Sequence, residues 1–185
     1  MYVVFDFDGV IADTEGYIRQ AYTLAGVTPP DDILNYEDRN WIDLQASVSV
    51  SVIKARKNEH YLRLLTEHPP NVLTPFYVAR EFLGYGHTPV LLSGAQDDQL
   101  EAFYRWHARR WPFFMTIGNH RQQAKMRWLA AQYSRTGMGG VYVDDQPLRY
   151  DISRGWRYIQ YRGQDQHELM EEIKCAFVSV LSAVE

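Results

Sequence analysis

Asp6 and Asp8 stand two residues apart just past the apolar run Tyr2-Val3-Val4-Phe5, and Asp144-Asp145 directly follow Val141-Tyr142-Val143. Taken singly, each acid reads as a turn or helix-cap residue. Taken together they are four hard oxygen donors, and like charges gathered in a low-dielectric site repel strongly unless a cation neutralises them. An all-carboxylate set suits Mg²⁺ rather than zinc. The expected metal set is therefore Asp6, Asp8, Asp144 and Asp145. A carboxylate beside such a cation can attack phosphorus and form an aspartyl-phosphate. A second carboxylate can protonate the leaving oxygen and then deprotonate water.

Other residues complete that chemistry. Gly9, next to Asp8, lets the chain turn tightly and bring its backbone against a ligand. Ser93 and Gly94 close the run Thr88 to Leu92 with a hydroxyl and neighbouring N–H groups able to hold phosphoryl oxygens. Lys125, ahead of the second acid pair, can neutralise charge that develops in a transition state, and Arg121 is a further candidate for binding the substrate anion.

These residues need elements to hold them. Apolar runs at Tyr2–Phe5, Thr88–Leu92, 113–117, Val141–Val143 and 156–161 predict strands. Helices are expected over 74–83, with Thr74 as cap and Pro75 at the first position, and over 96–110, 122–133 and 167–184. Strands alternating with helices argue an α/β domain with a mainly parallel sheet, in which ligands bind at the strands' carboxyl ends. Residues 15–73 break the rhythm with helices only, interrupted by Pro29-Pro30-Asp31-Asp32 and a polar stretch from Asn35 to Asn40. They read as a small helical cap inserted into a core made of residues 1–14 and 74–185.

Composition sets the limits. The 185 residues are 46% hydrophobic with a net charge of −4, enough for one cored domain and too mildly charged for a disordered acidic chain. One cysteine, Cys175, excludes an internal disulfide framework and reads as an inert packed thiol. The six histidines show no metal-ligand spacing. No stretch approaches the roughly 20 apolar residues that cross a bilayer, and no signal peptide is legible, so a cytoplasmic protein is expected. Between residues 102 and 143 there is no acid but seven basic residues, with aromatics interleaved. Such a 102–135 segment can hold phosphates while stacking on bases, or it can be two ordinary helices with solvated arginines and inward aromatics.

The stretch Phe5-Asp6-Phe7-Asp8-Gly9-Val10-Ile11-Ala12-Asp13-Thr14 resembles the first signature of the haloacid dehalogenase-like phosphohydrolase superfamily. Leu91-Leu92-Ser93-Gly94 is similar to its second motif, Lys125 to the third-motif lysine and Val141-Tyr142-Val143-Asp144-Asp145 to the fourth-motif acids, all in family order. The resemblance implies a Rossmann-like core, Asp6 as nucleophile and Asp8 as general acid and base. It implies Mg²⁺ held by Asp6, the Asp8 carbonyl and one of Asp144 or Asp145, with Asp145 preferred. Asp at position 8 implies phosphoryl transfer, because the superfamily's transport ATPases carry Thr there and its dehalogenases lack the acid. Two departures stand out. Lys125 is followed by Met126 where Pro is common, so Arg121 or Arg127 can share its role. Asp151 lies six residues past Asp145 and reads as a turn residue.

The cap position implies that residues 15–73 close over the site. Candidates there for substrate contact are Tyr17, Arg19, Tyr22, Trp41, Lys54, Arg56 and Lys57, each also explicable as packing or surface. The leading expectation is a Mg²⁺-dependent phosphatase for a small phosphorylated substrate. The basic segment inclines it towards a nucleotide or a nucleic-acid terminal phosphate. A phosphomutase or sugar-phosphate phosphatase is the alternative within the superfamily, and a catalytically silent binding protein the alternative outside it.

Overall fold

A computed structural model of the chain describes residues 1–30 and 40–182. Strand β1 (Tyr2–Phe5) is followed by helices α1 (Glu15–Leu24), α2 (Asn40–Gln45), α3 (Val50–Glu67) and α4 (Thr74–Gly84). Then come β2 (Thr88–Leu92), α5 (Asp97–His107) with a 3-10 turn at Ala108–Arg110, β3 (Met115–Ile117) and α6 (Gln122–Thr136). Strands β4 (Gly140–Asp144) and β5 (Trp156–Gln160) and helix α7 (Gln166–Ser182) complete the described chain. The polar residues Asp31, Asp32 and Asn35, expected to break the helical insertion, lie outside the described residues.

The strands form one parallel sheet in the order β3-β2-β1-β4-β5. β1 is central, with Val3 opposite both Pro89 and Val141. Alternation along the strands sends residues to opposite faces. Val3 and Phe5 join Leu91, Val141 and Val143 in a core with Phe76 and Phe82 of α4, Phe103 of α5 and Ile173 of α7. Val4, Val90, Leu92 and Tyr142 face the other way, onto Met126 and Leu129 of α6 and onto Trp156. This is the expected α/β, Rossmann-like arrangement.

Helices α1 to α3 build a second apolar cluster of their own from Ile18, Tyr22, Ile42, Ile53, Tyr61 and Leu65, and Ala102 of α5 belongs to it. The seam between α3 and α5 is tied by Trp106, whose indole Nε1–H donates to the Leu65 carbonyl at 3.0 Å. No described helix is long and apolar enough to cross a membrane.

Several local expectations need correction. Helix α4 starts one residue early, with Leu73 at the cap position and no side-chain capping bond. The Leu73 N–H is already taken by the Ile11 carbonyl, which fixes an extended residue ahead of the helix. β3 begins at Met115, because Phe113 turns its ring into the core beside Phe76 and Trp111. Cys175 is exposed on α7 and not packed. In the basic segment Phe103 and Phe113 are core residues, Trp111 packs against that core and Arg105 pairs with Glu101. Those residues follow the plainer reading, inward aromatics and solvated arginines.

Candidate active site

The carboxyl ends of β1, β2 and β4 meet at a cavity of about 580 Å³. Asp6, Asp8, Gly9, Gly94, Arg121, Lys125, Asp144 and Asp145, eight of the nine residues singled out in the sequence, line it. The ninth, Ser93, lies wholly buried behind Gly94 and Ala95, with its Oγ accepting the Ala95 N–H at 3.0 Å. Of the seven basic residues between 102 and 143, Arg121 and Lys125 reach the cavity wall. From α1 and α3 come Tyr22, Lys54 and Lys57. Of the other candidates there, Arg19 pairs with Glu15, Trp41 packs edge-on to Tyr22 and Arg56 is exposed.

The loop after β1 is held by backbone bonds, to β4 and within itself. Asp6 N–H donates to the Val143 carbonyl, while the Ile11 and Ala12 N–H groups both donate to the Phe7 carbonyl. Gly9 has φ +74, and a Cβ there would fall on the Asp145 carboxylate. Glycine is thus required twice, by the left-handed turn and by the closeness of the second acid pair.

Lys125, one turn into α6, reaches back under the sheet edge. Its Nζ lies 2.7 Å from Asp6 Oδ2 and 3.3 Å from Asp144 Oδ2, with all three side chains almost wholly buried. Asp144 is otherwise committed to the chain: the Tyr142 hydroxyl donates to Oδ2, and the Gln146 N–H donates to Oδ1 at 2.9 Å. Asp145 is half-buried and carries a long 3.4 Å contact from the Gln146 amide to Oδ2.

Burial and mutual repulsion set the protonation of these groups. Burial pushes Asp6 up to about 7, against the pull of the Lys125 ammonium and helped by the Asp144 charge. Burial, then Asp144 and Asp6, push Asp145 up to about 8. Burial would raise Asp144 too, but Lys125, the Tyr142 hydroxyl and the Gln146 N–H outweigh it and hold that acid low. Lys125 has the mirror balance: burial opposes its charge, and Asp6 and Asp144 overcome it and raise its pKa.

Carboxylate oxygens of Asp6, Asp144 and Asp145 lie within 4.8 Å of one another, close enough to share a metal ion. Two acids shifted upward by burial and by their neighbours' charge, together with oxygen-only donors, fit a hard divalent cation. The Asp8 carboxylate is not part of that cluster. Its Oδ1 accepts from Thr14 Oγ1 at 2.8 Å and from the Tyr61 hydroxyl at 2.5 Å. Asp151 is exposed and also outside the cluster.

Tyr61, Tyr142 and Gln146 were not found from the sequence. Tyr61 carried a usable signal, since Lys54, Lys57, Asn58 and Tyr61 follow helical spacing on one face of α3 and all four line the cavity. Tyr142 looked like a plain strand residue, and only its position two residues before Asp144 hinted otherwise.

No protein-family model matches the sequence, and no curated protein matches it. Solved structures do match in fold. CbbY from Rhodobacter sphaeroides, in complex with xylulose-(1,5)bisphosphate, superposes with a TM-score of 0.64 at 16% identity, over 100% of this chain and 98% of that one. A haloacid dehalogenase-like family hydrolase from Streptococcus pneumoniae gives 0.63 at 14% identity, over 100% and 98%. A predicted phosphoglycolate phosphatase from Haemophilus somnus gives 0.63 at 11% identity, over 100% and 97%. At these identities it is the architecture that is shared, and the chain has the α/β fold of the haloacid dehalogenase-like hydrolases.

Proposed function

We propose that the chain is a Mg²⁺-dependent phosphomonoester hydrolase working through an aspartyl-phosphate on Asp6. The observation that carries this reading is the grouping of Asp6 with Lys125, Asp144 and Asp145 on the wall of a metabolite-sized cavity. Asp6 would attack phosphorus while the ester oxygen leaves with a proton from Asp8. Asp8 would then take a proton from the water that attacks the aspartyl-phosphate, releasing inorganic phosphate and restoring Asp6. Lys125 offsets negative charge on the phosphoryl oxygens, and the Gly94 backbone N–H beside Ser93 provides a donor to them.

Asp6, Asp145 and the Asp8 carbonyl would hold the cation, with Asp144 fixed behind them. Asp145 is favoured as the direct ligand because both Asp144 oxygens are already engaged by Tyr142, Lys125 and the Gln146 N–H. The bound ion would neutralise the crowded carboxylates and orient the phosphoryl group.

Residues 15–73 would act as the lid, presenting Tyr22, Lys54 and Lys57 to the leaving group. A small phosphorylated metabolite suits the cavity volume. The xylulose bisphosphate bound to CbbY favours a sugar phosphate as a second reading of the substrate, beside the nucleotide expected from the basic segment.

The test is phosphate release from mononucleotides, sugar phosphates, a terminally phosphorylated oligonucleotide and an aryl phosphate, with and without Mg²⁺. Mg²⁺-dependent release that is lost in Asp6→Asn is expected. Release that survives in Asp6→Asn removes the covalent mechanism.

A further inference from the structure

Asp8, just before Gly9 in the loop after β1, lines the cavity. Two hydroxyls fix its carboxylate. Thr14 Oγ1 and Tyr61 Oη both donate to the same oxygen, Oδ1, at 2.8 and 2.5 Å. Thr14 is local to the loop, whereas Tyr61 comes from α3, 53 residues along the chain. A hydroxyl bonded to a carboxylate this closely is a strong, charge-assisted contact.

Tyr61 is itself held firmly. It is 1% exposed, and it belongs to the apolar cluster of α1 to α3. One turn further along α3, the Leu65 carbonyl is bonded to the Trp106 indole of α5. The Lys57 ammonium, one turn earlier, lies 4.6 Å from the centre of the Tyr61 ring and 5.6 Å from that of Tyr22. A cation over a phenol draws charge from the ring and makes its hydroxyl a better donor. Helix α3 thus delivers a polarised, shielded O–H to one oxygen of Asp8.

We propose that Tyr61 is a positioning residue for Asp8: with Thr14 it occupies Oδ1, so that Oδ2 is the oxygen that gives its proton to the leaving group and takes one from water. This rests on the phosphatase reading above. Tyr61 lies outside the acidic cluster of Asp6, Asp144 and Asp145, and it acts by restricting how the Asp8 carboxyl can turn. Loss of that restriction costs most when the leaving oxygen most needs its proton.

The experiment is Tyr61→Phe, which keeps the ring and removes the hydroxyl, assayed with Mg²⁺ on phosphate esters ranging from acidic phenols to simple alcohols. Wild type, Asp8→Asn and Asp6→Asn are run beside it, with melting temperature and Mg²⁺ affinity for each. In Tyr61→Phe, kcat/KM is expected to stay close to wild type for the most acidic phenol and to fall by about 10- to 100-fold for an alkyl ester. The slope should run in the same direction as, and less steeply than, that of Asp8→Asn, with Mg²⁺ affinity unchanged and the melting temperature lowered only as loss of one hydrogen bond requires. An equal fall across the whole series, or none, overturns the proposal and leaves Tyr61 as a contact that only packs the helices together. Wild type without phosphate release from any ester overturns the phosphatase reading and this assignment with it. Wild-type turnover that is lost in Asp6→Asn, with a flat Tyr61→Phe series, overturns this assignment alone.

Discussion

Lys125 Nζ lies 2.7 Å from Asp6 Oδ2, and both side chains are almost wholly buried. That ammonium also reaches Asp144, so it pairs with two of the three acids of the cluster. Lys125→Met should lower turnover by about 10²–10³-fold, the scale of losing one transition-state donor. It should also destabilise the metal-free protein by roughly 3–5 kcal/mol, because uncompensated acids stay behind, with part of that recovered in Mg²⁺. Steady-state phosphate release and thermal melts with and without Mg²⁺ measure both. A variant that turns over like wild type excludes the lysine from the chemistry.

The protonation of Asp6 and Asp145 makes metal-free stability depend on pH. Folding raises them from 3.8 to about 7 and about 8, so the folded chain keeps protons that the unfolded chain has released. Their contribution is whole below pH 3.8, shrinks as pH rises, and is lost once pH passes about 7 and 8. Asp144, held low, and Lys125, held high, keep their charges throughout that window. The metal-free melting temperature should therefore fall between about pH 5 and pH 8, and the rise produced by Mg²⁺ should grow over the same interval. Calorimetric titration in two buffers of different ionisation heat should show proton release on Mg²⁺ binding. A pH-independent Mg²⁺ affinity would contradict this.

Gly9→Ala adds a methyl where the Asp145 carboxylate lies, in a backbone at φ +74. Gly26→Ala is its control, at φ +93 with nothing within 4 Å of the new carbon. Both should lose about 1–2 kcal/mol from the strained backbone. Only Gly9→Ala should also weaken Mg²⁺ binding, which direct titration reads.

Asp145→Ala should weaken Mg²⁺ binding by at least about tenfold, the lower end of losses from disturbing a metal site. Asp151→Ala should leave it unchanged, since Asp151 is exposed and away from the cluster. The reverse ranking reassigns the ligand.

Trp106→Phe keeps an aromatic ring on α5 and leaves the Leu65 carbonyl without its indole donor. A loss of about 0.5–1.5 kcal/mol in denaturant unfolding is expected, the net worth of one such hydrogen bond. Faster amide exchange should appear along α3 around Leu65 and spare the sheet.

The core was legible where a strand announced itself twice, by its apolar run and by what ended it. β1 and β4 each stop at acids, and β2 stops at Ser93-Gly94, so both the elements and the face of the sheet could be read together. β3 was read too long because Phe113 and Phe114 look like strand residues, whereas Phe113 is spent on the core and Phe114 projects outward. The apolar pattern around Cys175 suggested a packed thiol, yet α7 buries Ile173 and Phe177 and turns the cysteine between them outward. The Tyr61–Asp8 bond lay beyond the sequence for a different reason. Nothing in either local stretch encodes a contact between residues so distant, and it forms because α3 is packed against α1 and α5.

The strand that carries Asp6 is the middle of the sheet, and its two neighbours begin at Thr88 and Gly140. In folding, β1 can gain no ladder bond until chain far beyond it has arrived, whereas α1 and α3 can bury most of their shared cluster against each other. Contacts this distant make for slow assembly, because the loops must close before the pairing rewards them. The helices between β1 and β2 shorten that search by condensing the intervening chain. The same segment whose α1 and α3 line part of the cavity is thus suited to act earlier as a spacer that brings β2 within reach of β1.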